Sequence, residues 1–318
     1  MVTREQVVAA YRLILGREPE NEEVIQRQMA EHEDAASLGW TMLHSPEFRR
    51  MALRSPWLLP MDECPRIEVQ TTATPQQLRA LFERVAGCWK AFGEKEPYWS
   101  VLTDDAFRLG SFDRHAREYL DSGESEVARL LAWLTRNGID PDSLDGCTEY
   151  GCGTGRVTRW LAARFKRVLA CDISAPHLEL ARGHLEQAGC RNVELRHIRA
   201  LESLERTPPA DLLYSVIVLQ HNPPPLAAFI LRRLLASLRA GGAAFFQIPT
   251  YARGYRFELA RYLRSKPRTD SVEMHVLPQQ EVFAIIAETG CQAIEVLPDA
   301  SVGDPDWISN TFLVCKRL

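Results

Sequence analysis

From Asp145 to the end of the chain, short apolar runs alternate with helical stretches, and this alternation restricts the fold more than any other feature. The runs fall at 147–150, 167–171, 193–198, 211–219 and 243–248. Parallel strands cannot be joined by a tight turn, so each return crosses over through a helix. The alternation therefore predicts an α/β domain, a doubly wound parallel sheet with helices on both faces. Helix punctuation agrees. Ser174 and Pro176 open one helix that Gly189 closes, and another runs from about Pro224 to Leu238 and ends at Gly241 and Gly242. After a helix over Gln279–Glu288, the runs QAIEVL and TFLVCK are separated only by a Gly/Pro/Asp-rich loop. With no helix between them they should pair antiparallel at the sheet edge.

The chemistry-bearing residues sit at the strand ends. The strand that closes on Glu149 runs into Tyr150, Gly151, Cys152, Gly153, Thr154 and Gly155, and a helix with Val157, Trp160, Leu161 and Phe165 on one face follows. Glycines at such a junction let the backbone turn tightly and approach a ligand, and the N–H groups at a helix start favour an anion. A dinucleotide fingerprint would carry its third glycine at 156, where this chain has Arg156. Asp172 ends the next strand, about 20 residues past the first glycine, where a carboxylate can accept both hydroxyls of a ribose. Loop, acid and βαβ context together predict a nucleoside cofactor other than a dinucleotide.

On these residues the chain resembles the class I S-adenosylmethionine-dependent methyltransferases. EYGCGTG matches their first motif, CDIS their acidic second motif, and LRAGGAAFFQIP their turn into the fifth strand. The resemblance spans roughly 125–318 and implies a Rossmann-like sheet of seven strands, mostly parallel, with the last strand reversed. It also implies S-adenosylmethionine as cofactor, with Glu149 near its amino group, Gly151, Cys152, Gly153 and Gly155 around methionine and ribose, Asp172 on the ribose, and Ile173 against the adenine. Many members place an Asp after the third strand for the adenine amino group, but here Arg199 stands in that stretch, and an arginine cannot accept a hydrogen bond. Adenine recognition then falls to backbone near Ala200 and Leu201.

The carboxyl end of the fourth strand delivers Gln220, His221 and Asn222, followed by three prolines. Gln220 is assigned to the cofactor side. His221 reads either as the general base for an acceptor hydroxyl or as a histidine that only bonds nearby backbone; the first reading is preferred. Asn222-Pro223-Pro224 resembles the Asn-Pro-Pro-aromatic motif of amino methyltransferases, but Pro225 replaces the aromatic platform. An insertion after the fifth strand, where this fold commonly builds its acceptor pocket, carries Tyr251, Arg253, Tyr255 and His275 as candidate substrate contacts. O-methyl transfer to a small or saccharide-linked acceptor is expected, with amino methylation, or a cofactor-binding adaptor without turnover, as the alternatives.

The N-terminal half reads as helices. Residues 1–58 form a small module whose LILGREP and HSPEFRR resemble a short all-helical bacterial repeat family attached to cell-envelope proteins, which implies a protein partner. Residues 59–124 read as linker and helical cap, and 125–318 as the methyltransferase domain. Helices are expected around 75–93 and over Ser122–Asn137. Tyr98 and Trp99 read either as packing between domains or as a lid over the active site.

Eight scattered cysteines, none paired at a two-residue spacing, point to reduced thiols and no metal. A net charge of −4 gives no reason to expect nucleic acid as a partner. No apolar run approaches the ~18 residues of a membrane helix, and the first residues lack the order of a signal peptide, so a cytoplasmic protein is expected.

Overall fold

The structure is a computed structural model that describes residues 2–45, 47–48, 65–267, 272–304 and 306–317. The chain divides into two compact units, residues 1–65 and 66–318. Among the described residues no helix is long and apolar enough to cross a membrane.

Among its described residues the first unit holds three helices, Arg4–Leu15, Glu22–Glu31 and Ala35–Leu43, around a core of Val7, Tyr11, Leu15, Ile25, Leu38 and Met42. Thr3, Asn21 and Asp34 cap the three helix starts through their side chains. Arg17 of the LGR segment makes a two-pronged ion pair with Glu47 of SPEF, so the two short motifs meet in space. Ser45 Oγ accepts from the Phe48 N–H, as its capping role requires, at 3.1 Å. Pro46, Trp57 and most of the proline-flanked stretch after it lie outside the described residues.

The second unit opens on a two-residue strand, β1 (Glu68–Val69), which pairs in parallel with β7 (Arg256–Phe257). The main sheet has seven strands: β2 (Gly146–Tyr150), β3 (Arg167–Asp172), β4 (Val193–His197), β5 (Ala210–Ser215), β6 (Leu238–Ala252), β8 (Cys291–Asp299) and β9 (Trp307–Lys316), in the order β4-β3-β2-β5-β6-β9-β8. β9 runs antiparallel to both of its neighbours, β6 and β8, while the other pairs are parallel. It inserts beside β6, which leaves β8 as the edge. The doubly wound sheet with a reversed last strand is therefore the observed fold. Two cores lie against it. One joins the helices Pro75–Lys95, Pro224–Ala236 and Gln279–Glu288, the other the helix Phe112–Arg136 and the helix Thr158–Arg164.

Three elements differ from the sequence reading. The strand expected over 211–219 stops at Ser215, because Ile217 adopts a left-handed backbone (φ 58°) that no strand continues through. The helix expected to reach Leu238 stops at Ala236, and β6 begins at Leu238, whose pairing with Ala210 precedes a register shift. The helix expected to open at Ser122 spans Phe112–Arg136. Ser122, where the helix is expected to open, lies in its middle. A Cβ on Gly123 would stand 2.3 Å from the Arg156 carbonyl oxygen and 2.9 Å from Trp160 Cδ1, so glycine is there for close approach of the glycine-loop backbone.

That contact reverses the usual rule. An interior helical glycine replaced by alanine ordinarily gains up to ~1 kcal/mol. Gly123→Ala should instead lose about 1–3 kcal/mol, the usual cost of overpacking, whereas Gly183→Ala, with nothing within 4 Å of its Cβ, should follow the rule. Urea unfolding of both variants checks the opposite signs.

Candidate cofactor and acceptor site

β2 is flanked by β3 on one side and β5 on the other, so the loops leaving β2 and β5 part company at the carboxyl edge of the sheet. A crevice must form where the strand order reverses. It is lined by Glu149, Tyr150, Gly151, Cys152, Gly153, Arg156 and Val157 from the β2 turn, by Asp172, Ile173 and His177 after β3, and by Tyr214, Val216, Ile217, Val218 and Asn222 after β5. Trp89, Ser100 and Val101 from the helical cap close its roof. The cavity and the open space at its mouth together hold about 900 Å³.

Gly151 (φ 82°) makes the first turn, and a Cβ there would stand 2.3 Å from Val218 Cγ2. Both left-handed backbone and close approach exclude a side chain. The buried Asp172 then fixes the turn. Its Oδ2 accepts from the Gly153 N–H and its Oδ1 from the Ser174 N–H, both at 2.8 Å. Each oxygen keeps a further lone pair for a ligand.

Glu149 is 3% exposed, and its Oε2 accepts from Thr158 Oγ1 at 2.6 Å. Burial pushes its carboxyl up to about 7, against the lowering effects of the Thr158 hydrogen bond and the Arg156 charge. His177 bonds Ser174 Oγ through Nδ1 at 2.7 Å and faces Ser100 Oγ through Nε2 at 3.0 Å. This stitches the cap to the helix Ala175–Gln187, and burial lowers the His177 pKa.

A second cavity shares Ser100, Val101 and Ile217 with the first. Trp99, Leu102, Thr103, Gln220, His221, Val272, Met274, Ser301 and Val302 complete its lining. Ile217, β-branched yet left-handed, stands in the shared wall, and its N–H donates to Gln247 Oε1 at 3.0 Å. Strained backbone of this kind concentrates at functional sites. Gln247 Nε2 also donates to Gln220 Oε1 at 2.9 Å, and Gln220 Nε2 points at His221 Nε2 at 3.3 Å. His221 Nδ1 meets the Glu273 carbonyl at 2.9 Å, which requires the proton on Nδ1 and leaves Nε2 as an acceptor. Burial depresses the His221 pKa to about 4.

Of the residues expected from sequence, Glu149, Gly151, Cys152, Gly153, Asp172, Ile173 and Asn222 line the first cavity, and Gln220 and His221 the second. Gly155 lies beneath the loop, its Cβ position 3.2 Å from Ala181 Cβ. Ala200 and Leu201 stand outside both linings. The Ala200 and Leu201 carbonyls accept from Ser203 and Leu204, and Leu201 is buried in the core. Arg199 is exposed and donates to His197.

Tyr251 pairs with Ile308 along the β6–β9 ladder, and the exposed Arg253 pairs with Asp306. Tyr255 and His275 bond each other (Oη to Nδ1, 2.9 Å) without reaching either cavity. Tyr98 stacks on Phe112 in the cap core, while Trp99 lines the second cavity. Trp89, Ser100, Val101, Arg156, His177 and Tyr214 also line the first cavity, at positions that no sequence motif marks as lining.

A family model described as "Methyltransferase domain" matches residues 148–242, which include the turn, the acid and the strand-end segment just described. The chain carries a methyltransferase domain. Its relatives include "Ubiquinone biosynthesis O-methyltransferase" of Acinetobacter baylyi, 31% identical over 153 residues. That match covers 46% of this chain and 63% of the relative, so the chain spans less than two thirds of that relative's length. The protein of the same name from Aromatoleum aromaticum is 28% identical over 62% of this chain and 86% of its own. Among solved structures, magnesium protoporphyrin IX methyltransferase from Synechocystis with bound SAH (S-adenosylhomocysteine) matches with a TM-score of 0.52 at 16% identity, over 74% of this chain and 99% of that one. This methyltransferase domain thus shares its fold with a cofactor-bound enzyme.

The depressed His221 pKa has a measurable sign. A folded pKa near 4, below the ordinary value of 6.5, means that His221 contributes stability that is full above pH ~6.5 and lost as pH falls toward 4. Ring nitrogen shifts should show His221 neutral down to about pH 5, and His221→Gln should flatten the loss of stability over that window. A ring that titrates near 6.5 would contradict the buried geometry.

Proposed function

We propose that the chain is an S-adenosylmethionine-dependent O-methyltransferase acting on a hydroxyl of a small molecule with an apolar body. The observation that carries this reading is the pair of adjoining cavities. One is bounded by the glycine turn and the Asp172 carboxylate, the other is mostly apolar, and they meet at Ile217 and Val101.

The first cavity suits the cofactor. The space where a Gly151 Cβ would stand is needed for the tight turn, Asp172 has acceptor capacity for two ribose hydroxyls, and Ile173 offers apolar surface to an adenine. Glu149 lies at the opposite end of the loop segment, where an ammonium would hold it ionised. When bound, the cofactor supplies a methyl group already activated by a sulfonium, so the protein's task is alignment and removal of a proton.

The acceptor would enter the second cavity, its body against Trp99, Leu102, Val272, Met274 and Val302 and its hydroxyl toward His221. His221 Nε2 would take the hydroxyl proton with the lone pair that now accepts from the Gln220 amide at 3.3 Å, and the Nδ1 contact to the Glu273 carbonyl fixes that tautomer. An imidazole of pKa about 4 is a weak resting base, so proton uptake accompanies O–C bond formation rather than preceding it. The amino-methyltransferase alternative loses ground because Asn222 Nδ2 already donates to the Val218 carbonyl at 2.9 Å and the three prolines are buried at a helix start. Apolar lining also favours an apolar-bodied acceptor over a saccharide-linked one. The names of the ubiquinone-biosynthesis relatives agree with transfer to oxygen. A protein partner for the N-terminal helical unit is proposed on the resemblance of its LGR and SPEF segments alone.

Titration calorimetry with S-adenosylhomocysteine tests the cofactor reading. Binding should be measurable, and Asp172→Asn should weaken it about tenfold to a hundredfold, the worth of hydrogen bonds to a charged group. No heat and no thermal shift at millimolar ligand would overturn it. With phenolic and aliphatic alcohol acceptors, mass spectrometry should find a gain of one methyl group in place of hydrogen. His221→Gln should lower kcat about 10²–10⁴-fold with S-adenosylhomocysteine affinity unchanged. An unaltered kcat would remove His221 from the reaction.

A further inference from the structure

The state of the His221 ring depends on a carbonyl 52 residues further along the chain. Nδ1 meets the Glu273 carbonyl at 2.9 Å, whereas the Gln220 amide stands off Nε2 at 3.3 Å, so the shorter contact decides which nitrogen carries the proton. A backbone carbonyl is only as well placed as the segment that bears it. The segment after residue 273 is seated on the strand ends by its backbone: the His275 N–H donates to the Gln220 carbonyl at 2.7 Å, and the Leu277 N–H to the Pro249 carbonyl at 3.0 Å.

The Glu273 side chain supplies a separate hold. Its Oε2 accepts from Tyr262 Oη at 2.6 Å, its Oε1 lies 3.8 Å from Arg84 Nη2, and His275 Nε2 faces Oε2 at 3.5 Å. Arg84 reaches in from the helix Pro75–Lys95. Its guanidinium lies 4.1 Å from the centre of the Tyr262 ring and donates to the carbonyls of Tyr262, Ser265 and Lys266, where the helix Leu259–Arg264 ends. Its side chain is only 8% exposed. Cap helix and insertion therefore close together on one carboxylate. Among the described residues no carboxylate bonds the His221 ring itself, so Glu273 reaches the ring only through its own carbonyl. Holding a long side chain in one place costs rotamer freedom, and an ion pair at this separation returns little of it. What the clamp does provide is a fixed position for the carbonyl on which the ring depends.

We propose that Glu273 is a positioning residue for methyl transfer: clamped by Tyr262 and Arg84, its carboxylate holds the 273 carbonyl against His221 Nδ1 and so keeps the unprotonated Nε2 on the side of the second cavity. This deepens the reading of His221 as the base and rests on it. No motif marks Glu273 or Tyr262 in the sequence, because the clamp exists only once the insertion lies against the cap helix.

The test reads the ring directly. Nitrogen-15 ring spectra of the full chain, with the His221 signals assigned by their loss in His221→Gln, give the share of neutral rings protonated on Nδ1. Tyr262→Phe keeps the ring beneath Arg84 and removes only the donor to Glu273, and Glu273→Ala removes the clamped group. Both should lower the Nδ1-protonated share of His221. With the phenolic acceptors named above both should lower kcat about tenfold, the worth of one hydrogen bond to a charged group, while acceptor KM and S-adenosylhomocysteine affinity stay within about twofold. Glu273→Gln, which still offers Tyr262 an oxygen, should retain most of the ring state and of kcat. An unchanged ring spectrum in both Tyr262→Phe and Glu273→Ala would overturn the proposal, whatever happens to kcat. Parallel losses in kcat, KM and S-adenosylhomocysteine affinity would also overturn it, since they would mark general loosening of the insertion. A ring that changes tautomer while kcat holds would support the clamp and bring down His221 as the base, so the two readings fail separately.

Discussion

The site depends on one carboxylate. Asp172 accepts the Gly153 N–H with one oxygen and the Ser174 N–H with the other, so a single side chain at the end of β3 holds both the turn after β2 and the start of the next helix. Two backbone donors that face a cavity would otherwise need water or a ligand, and each unmet one costs about 1–3 kcal/mol. The same arrangement keeps Asp172 aimed into the crevice, where its spare lone pairs face a ligand. Removal of that carboxylate would loosen the turn as well as the ligand, so Asp172→Asn is the gentler probe because it retains one acceptor.

Around this anchor the chain packs unusually close. The Arg156 carbonyl lies where only glycine at 123 can admit it, Val218 occupies the space above Gly151, and Val101 lies against Gly153. The cap is thereby joined to the sheet by backbone contact as well as by side-chain packing. The buried chain of Trp89 carbonyl, Ser174, His177 and Ser100 adds a polar stitch across the same seam. Trp89, Ser100 and Val101 thus belong to the site as much as the loop does.

The two histidines at the site show how burial partitions chemistry. Both are pushed toward the neutral form by desolvation, but His177 bonds Ser174 and Ser100 across the cap seam, whereas His221 lines the second cavity with its Nε2 held by a single, longer contact, the Gln220 amide at 3.3 Å. Position, rather than residue type, separates a structural imidazole from one that can meet an acceptor. The Gln247–Gln220 relay has a corresponding role, since it ties the strained Ile217 to the sheet at the wall between the cavities.

Local pattern alone decides much of this protein. The spacing of apolar runs, the glycines between Gly151 and Gly155 and the acid at 172 dictate strands, turn and cofactor class, because each rests on near-neighbour sterics that the chain carries wherever it goes. The missing helix between the last two runs likewise dictates their antiparallel pairing. Tertiary contact decides the rest. The helix expected to open at Ser122 reaches back to Phe112, with Gly123 in its middle against the Arg156 carbonyl, and strand β5 ends at Ser215 because Gln247, thirty residues on, holds Ile217 in a left-handed turn. Tyr251, Arg253, Tyr255 and His275 share an insertion that faces the ligand edge in many such sheets, yet here a β ladder, an exposed ion pair and a mutual hydrogen bond take them away from both cavities. Trp89, Ser100 and His177 enter the site from segments with no signature of their own, since a lining position is a property of which surfaces meet, and sequence records only which residues can follow one another.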